Sequence, residues 1–243
     1  MSVLGALLYG LANLFHPRML WLMVWPMLIA LAVWIALAVA FWERLASALA
    51  ALFRRWLEPA AGFIRFDFGD ATIIAAYIVL FLLLVPLVYL TALFILGVFG
   101  MPKMVDHVAQ RSFPALERRR GGGLAGSLWN GAAALGGMAL LFLVSLPLWL
   151  LPPLWPLIPL GIFAWVNQKL LRYDAIAEHA DRDEMARLFR ERRGALLLLG
   201  LFLGLLAYIP FVGFVAPVVF GLAFIRYLLG ALQEMRARPV AVD

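Results

Sequence analysis

The residue types that most often carry out chemistry are sparse in this sequence and form no known catalytic pattern. Its 243 residues include three histidines in separate segments, His16, His107 and His179, and no cysteine. The lack of cysteine excludes disulfides, iron–sulfur clusters, thiolate nucleophiles and cysteine-liganded zinc. The histidines do not have the spacing found in zinc proteases, and the sequence has neither a nucleophile elbow nor a phosphate-binding loop. We therefore expect a protein that is not an enzyme, with no cofactor and no metal site.

The acidic cluster of Asp181, Asp183 and Glu184 offers oxygen ligands, but its pattern is that of a helix start. Asp181 is placed as an N-cap, and Glu184 follows three residues later as in a capping box. We expect this cluster to stabilise a helix.

One arginine stands apart from the other charges. Arg226 is the only charged residue between Arg193 and Glu234, in a stretch that is otherwise almost wholly apolar. A charge within an apolar segment is costly, which makes it a candidate for a permeation pathway. The alternative is that its side chain extends to the headgroups, because Glu234 lies only eight residues further on.

Three further arginines end a polar connector and are secondary candidates for pathway charge: Arg190, Arg192 and Arg193. Such a group could concentrate anions at a cytoplasmic mouth. It could equally belong to a solvated helix at the level of the headgroups, with cations at the end that suits the helix dipole.

The stretch 10–18, GLANLFHPR, breaks the chain before the first long apolar segment. Pro17 suits the first position of a helix, and free backbone N–H groups at such a start can hold an anion. The alternative is a plain helix start with Arg18 bound to lipid phosphate. The predicted anion-binding residues are Gly10, Leu11, Asn13, Leu14 and Arg18.

The composition indicates the elements that must hold these residues. Hydrophobic residues make up 65% of the chain and charged residues 14%, and the mean hydropathy is +0.97. Soluble domains have about 45–50% apolar and about 25% charged residues, so there is too little polar surface here for a water-soluble globule. We expect an integral membrane protein, whose net charge of +6 faces phospholipid headgroups and not nucleic acid.

The pattern predicts a single all-α membrane domain over 1–243. Two uncharged segments, about 20–42 and 72–96, are long enough to span the bilayer. Two helical hairpins, about 130–166 and 195–232, have proline-rich tips and are predicted to be re-entrant or short-spanning. Amphipathic connectors at about 100–120 and 181–193 are predicted to lie at the membrane surface.

The positive charges predict an orientation. If the two long segments cross and both hairpins return, 16 of the 20 lysines and arginines fall on one side. The positive-inside rule makes that side cytoplasmic, together with both termini. Full crossing by the hairpin legs gives the same result.

Several motifs, in this order, resemble the CysZ-type sulfate permeases of the bacterial inner membrane. The likeness extends from about residue 10 to residue 232. It is carried by the entry GLANLFHP (10–17), WPML (25–28), RYDAIAEHA (172–180), RERRGALLLLG (190–200) and IPFVGFVAP (209–217).

The resemblance implies two transmembrane helices, two partly penetrating hairpins, a homo-oligomer in contact with membrane lipids, and sulfate uptake for cysteine synthesis. The chain departs from the family pattern at three positions. Leu20 and Trp21 stand where members commonly carry sulfate-binding arginines, and Gly213 replaces the asparagine of the hairpin tip.

Two function classes remain open from the sequence. The first is a permease or channel for sulfate or a related inorganic anion. The second is a structural or accessory membrane protein that uses its hairpins and the Gly200/Gly204 motif for helix packing. A membrane enzyme acting on lipids has no support from the residues, because no nucleophile–base pair is visible.

Overall fold

The computed structural model describes residues 2–61, 69–209 and 212–237, and every regular element in these ranges is a helix. The prediction of an all-α protein is confirmed. The elements are α1 (Val3–Leu14), α2 (Pro17–Ala61), α3 (Gly69–Ile95), a π-helical turn (Leu96–Gly100), α4 (Met101–Ser112), α5 (Leu124–Ser145), two 3₁₀ turns (Leu146–Leu150 and Pro152–Leu154), α6 (Leu157–Ile176), α7 (Arg182–Glu191), α8 (Arg193–Ala207) and α9 (Val212–Ala237).

Four helical stretches of the described chain are long and apolar enough to cross a membrane. They are Pro17–Leu57, Ala71–Ser112, Ala125–Leu150 and Val215–Ala237. This agrees with an integral membrane protein. Whether the hairpin legs cross completely stays a prediction.

The chain forms two compact units, Met1–Trp21 with Val98–Asp243 and, separately, Leu22–Gly97. The second unit contains most of α2 and all of α3, which run antiparallel to one another. Trp34 Nε1 donates to Thr91 Oγ1 at 2.9 Å, and further along the pair the rings of Trp42 and Tyr77 stack at 6.1 Å.

The predicted spans 20–42 and 72–96 fall on α2 and α3, but α2 is longer than expected. Its 45 residues extend roughly 68 Å, about twice the hydrocarbon thickness of a bilayer. The residues after the predicted span therefore continue as a helix beyond the apolar layer.

The other unit is built around α9, which contacts α1, α4, α6 and α8. In an apolar stretch of 18 residues of α9, 83% of the residues are buried inside the protein. Small residues permit this close packing. A side chain at Gly10 would meet the Val219 carbonyl oxygen at 2.8 Å, and one at Gly221 would meet Met104 Cε at 2.9 Å. The last hairpin leg is thus the core of this unit.

The helix α4 has the apolar stripe that predicted a membrane-surface helix. Met101, Met104, Val105 and Val108 are all buried, and Met104 lies against α9. The stripe therefore packs inside the protein, because an amphipathic pattern does not distinguish a protein neighbour from lipid.

The proline-rich tip of the first hairpin is irregular, as expected. The two short 3₁₀ turns carry the chain from α5 to α6, since consecutive prolines remove the amide donors that an α-helix needs. In the second hairpin, residues 210 and 211 of the predicted tip lie outside the described residues.

The Gly200/Gly204 motif is used within the chain. A Cβ at Gly200 would meet the Ala164 carbonyl oxygen at 2.5 Å, and one at Gly204 would meet Leu160 Cδ1 at 3.3 Å. Both contacts lie on α6. The two glycines thus permit α8 to approach the backbone of α6 closely.

The connector before α8 is tied to the end of α9. The predicted capping box is confirmed: Asp181 Oδ1 accepts from the Glu184 amide at 2.8 Å, and Glu184 Oε2 accepts from the Asp181 amide at 3.0 Å. Both carboxylate oxygens of Glu184 also accept from Arg236, at 2.9 and 2.8 Å. Arg119 Nη1 adds a third donor at 2.9 Å. These donors, Arg236 foremost, hold the pKa of Glu184 below its usual value.

We expect Gly200→Ala to destabilise the protein, because the added methyl meets a backbone oxygen that cannot move alone. The cost should be about 1–3 kcal/mol, seen as a lower Tm in detergent. Gly136→Ala is the matched control, since nothing lies within 4 Å of a Cβ there. It should leave Tm unchanged or raise it slightly through helix propensity. Equal losses in the two variants would contradict this packing.

We expect Glu184 to make stability depend on pH on the acid side. Its pKa is depressed from 4.5 in the folded protein, so its contribution is present above that value and is lost as the pH falls through the lower folded pKa. Glu184→Gln should lower Tm at neutral pH and flatten the acid dependence between about pH 5 and pH 3. Asp183→Asn, an exposed change on the same helix, is the control and should preserve the wild-type slope.

Candidate anion site

The one charge within the apolar part of α9, Arg226, is held between two aromatic rings. Its neighbours Ile225 and Tyr227 are buried. The guanidinium carbon lies 5.1 Å from the ring centroid of Tyr9 on α1 and 4.6 Å from that of Phe113, which follows α4. Both distances are in the range of cation–π interactions. Two aromatic rings therefore hold the guanidinium in place.

Two polar atoms of this site are buried without a hydrogen-bond partner. Among the residues that the structure describes, neither Arg226 Nη1 nor the Tyr9 hydroxyl has a donor or acceptor opposite it. An unpaired buried polar group costs about 1–3 kcal/mol, and more when it is charged. Both atoms can donate, and no carboxylate of the described chain pairs with Arg226. An anion would satisfy both groups.

A second basic group lies where α1 and α2 meet. The rings of His16 and His107 are 5.0 Å apart, and His107 Nε2 is buried without a partner within the described residues. Arg18 and Arg111 are close enough for their charges to act on His107. This group contains four cationic or ionisable side chains.

The structure supplies fewer backbone donors around 10–14 than the sequence predicts. Gly10, Leu11 and Leu14 belong to α1, so their amides point to the preceding turn of the same helix. Asn13 Nδ2 donates to the Tyr9 carbonyl at 2.9 Å. At the start of α2, the amides of Met19 and Leu20 donate to the His16 carbonyl.

Arg18, the charged member of the predicted set, is exposed, and its amide donates to His16 Nδ1 at 3.3 Å. The anion-binding role of the five predicted residues stays a prediction. Near these residues, the buried side-chain nitrogen and oxygen atoms without a partner in the described chain belong to Arg226, Tyr9 and His107. The sequence does not single out Tyr9 or Phe113, and it shows His107 only as one of three separate histidines. Their signal was weak, since an aromatic residue in an apolar segment is ordinary.

No contact described here joins the arginines of the connector to Arg226, although the Arg192 side chain is close to Tyr227, the next residue on α9. Arg190 is exposed on α7, and Arg193 is the first residue of α8. Arg192 Nη2 donates to Glu234 Oε2 at 3.0 Å, which neutralises it. Glu234 lies eight residues beyond Arg226 on α9, about 12 Å along the helix. Their role as pathway charges stays a prediction.

The fold and this site define a class: an all-helical integral membrane protein with a partly buried guanidinium in its core, whose Nη1 has no partner among the described residues. The chain belongs to the family described as sulfate transporter CysZ/etoposide-induced protein 2.4, whose model matches residues 6–217. The match includes Tyr9, His107 and Phe113 and ends before Arg226. No curated protein and no solved structure matched the chain.

We expect Tyr9→Phe to separate anion binding from stability. Without an anion, the change removes a buried hydroxyl that has no partner, so Tm should stay the same or rise by up to a few degrees. The rise in Tm on adding sulfate should be smaller than in the wild type. Thermal unfolding in detergent with and without sulfate measures both. An unchanged sulfate effect would exclude the hydroxyl as a donor.

Proposed function

We propose that the protein carries sulfate, or a related inorganic oxyanion, across the bacterial inner membrane. The observation that supports this best is Arg226, a guanidinium held by two aromatic rings within the helix core and left with an unpaired nitrogen. Membership of a family described as sulfate transporters points the same way. Transport by this chain itself is our proposal.

The chemistry of the site favours an anion without acidic protons. The guanidinium of Arg226 can only donate, and the hydroxyl of Tyr9 supplies a second donor. The aromatic neighbours exclude water, which strengthens charge-assisted hydrogen bonds. A hydrogen phosphate would present a proton that needs an acceptor, and no carboxylate of the described residues pairs with Arg226. The hydroxyl of Tyr9 would then have to accept that proton and could no longer donate to the anion. Sulfate meets this requirement.

The group of His16, His107, Arg18 and Arg111 is the second binding position for the anion in this proposal. Tyr9 lies in α1, and His16 follows two residues after the end of that helix at Leu14. His107 belongs to α4 and Phe113 directly follows it, so this one segment borders both groups. In the proposed route, Arg18 and His107 receive the anion and Arg226 binds it next.

The proposal keeps the expected membrane placement, with both termini cytoplasmic and more than one copy in the assembly. The distribution of lysine and arginine supports the sidedness. The expectation of a homo-oligomer rests on the family resemblance, because the Gly200/Gly204 motif is occupied by contacts inside the chain.

We expect the purified protein in liposomes to take up radiolabelled sulfate, and Arg226→Gln to reduce the uptake. Loss of a charge-assisted hydrogen bond costs about 1.5–3 kcal/mol, so the apparent affinity should fall roughly ten- to hundredfold. Arg226→Lys keeps the charge but loses the planar fork, and should be intermediate.

The control for this experiment is Arg187→Gln, which removes the same charge from the exposed surface of α7. It should transport like the wild type. If the wild-type protein gives no flux above empty vesicles, transport is excluded and an accessory role remains. If Arg226→Gln transports normally, Arg226 is not part of the route.

A further inference from the structure

A third group of cations lies where α6 and α8 pack against each other. Lys169 and Arg172 are three residues apart and so share one face of α6, and Arg193 begins α8. The contacts of Gly200 with Ala164 and of Gly204 with Leu160 show that α8 and α6 run antiparallel, which places Arg193 level with Arg172. The charges of Lys169, Arg172 and Arg193 are therefore close enough to act on one another.

In the described residues, the positive charges of this group are not neutralised by an acidic side chain. Burial lowers the pKa of both Lys169 and Arg172, and in each case the neighbouring arginine lowers it further. In the described chain, no carboxylate forms an ion pair with any of the three. The nearest acid in the sequence, Asp174, instead accepts a hydrogen bond from Ser127 Oγ on α5. Three like charges in this arrangement repel one another unless an anion is present.

The arginine at the centre is held in position but is not satisfied. Arg172 Nη1 donates to Gln168 Oε1 at 3.3 Å, and its guanidinium carbon lies 4.7 Å from the ring centroid of Phe189. Its Nε is buried and has no partner among the residues described. An oriented guanidinium with a free donor is the arrangement that binds phosphate groups.

The depth of the group along the helices indicates where the phosphate comes from. On α8, Leu198 and Phe202 are 49% and 47% exposed, beginning five residues after Arg193. On α6, Phe163 is 49% exposed, six residues before Lys169. Large exposed apolar side chains in a membrane protein face the acyl chains. Arg193 and Lys169 therefore lie about 7–9 Å beyond these lipid-facing side chains, and Arg172 about 13 Å beyond Phe163, which places the group at headgroup depth.

We propose that Lys169, Arg172 and Arg193 form a binding site for a phosphate group, supplied by the headgroup of an anionic phospholipid. This assigns to Arg193 a partner other than the transported anion. The site is separate from the proposed route and does not depend on transport by the protein.

The test is the rise in Tm of the full chain in nonionic detergent as phosphatidylglycerol is added, with phosphatidylcholine of the same acyl chains as the neutral comparison. Phosphatidylglycerol should stabilise the wild type more than phosphatidylcholine does. Arg193→Gln and Arg172→Gln should each weaken the apparent lipid affinity about fivefold. Arg187→Gln, which removes an exposed charge from α7, should retain the wild-type affinity.

Arg193 is exposed at a helix start, so its variant keeps the test valid even where Arg172→Gln does not fold. Equal stabilisation by the two lipids, or an Arg193→Gln variant that responds as the control does, would overturn the proposal. A separate arm adds inorganic phosphate at millimolar concentration without lipid. If free phosphate stabilises the protein as strongly as phosphatidylglycerol, and the same variants abolish the effect, the phosphate site stands and the lipid source is wrong.

Discussion

A charged guanidinium inside an apolar helix bundle has to be compensated, and the surroundings of Arg226 are arranged around that requirement. Two aromatic faces attract the cation without neutralising it, so its charge stays available. An acidic residue in place of either ring would form an ion pair and fill the site permanently. The aromatic pair holds the guanidinium and leaves one nitrogen open, which is what reversible binding of an anion needs.

The position of Arg226 depends in turn on how closely α9 is surrounded. Glycines at the contacts with α1 and α4 bring backbone and side chain together without an intervening methyl group. Only with such short separations do rings from two different segments reach the same guanidinium. Packing and binding are therefore coupled in this unit, and a bulky residue at Gly10 would displace Tyr9 as well as α1.

The sequence was sufficient for the helical class, the irregular first tip, the capping box at Asp181 and the choice of Arg226 as an unusual charge. It was not sufficient for the neighbours of these residues. Hydropathy shows that α9 and the apolar stripe of α4 avoid water. It does not distinguish a protein neighbour from lipid, because both are apolar, so the sequence could not predict that α9 packs at the centre of its unit. The predicted break over residues 10–18 would leave the amides of Gly10 and Leu11 free, whereas α1 continues to Leu14. Tyr9 and Phe113 become partners of Arg226 only through contacts between distant parts of the chain.

The guanidinium of Arg236 ends α9 with bonds to three separate segments: the carboxylate of Glu184 and the carbonyl oxygens of Glu117 and His179. A helix anchored in this way resists rotation and sliding, because either motion breaks several charged hydrogen bonds together. By contrast, α1 has 12 residues and exposes Leu4 and Leu8 on its outer side. Two helices place Arg226 and Tyr9 next to each other, α9 and α1. Of these, α9 therefore stays fixed, and a deformation of the surrounding bilayer would move α1.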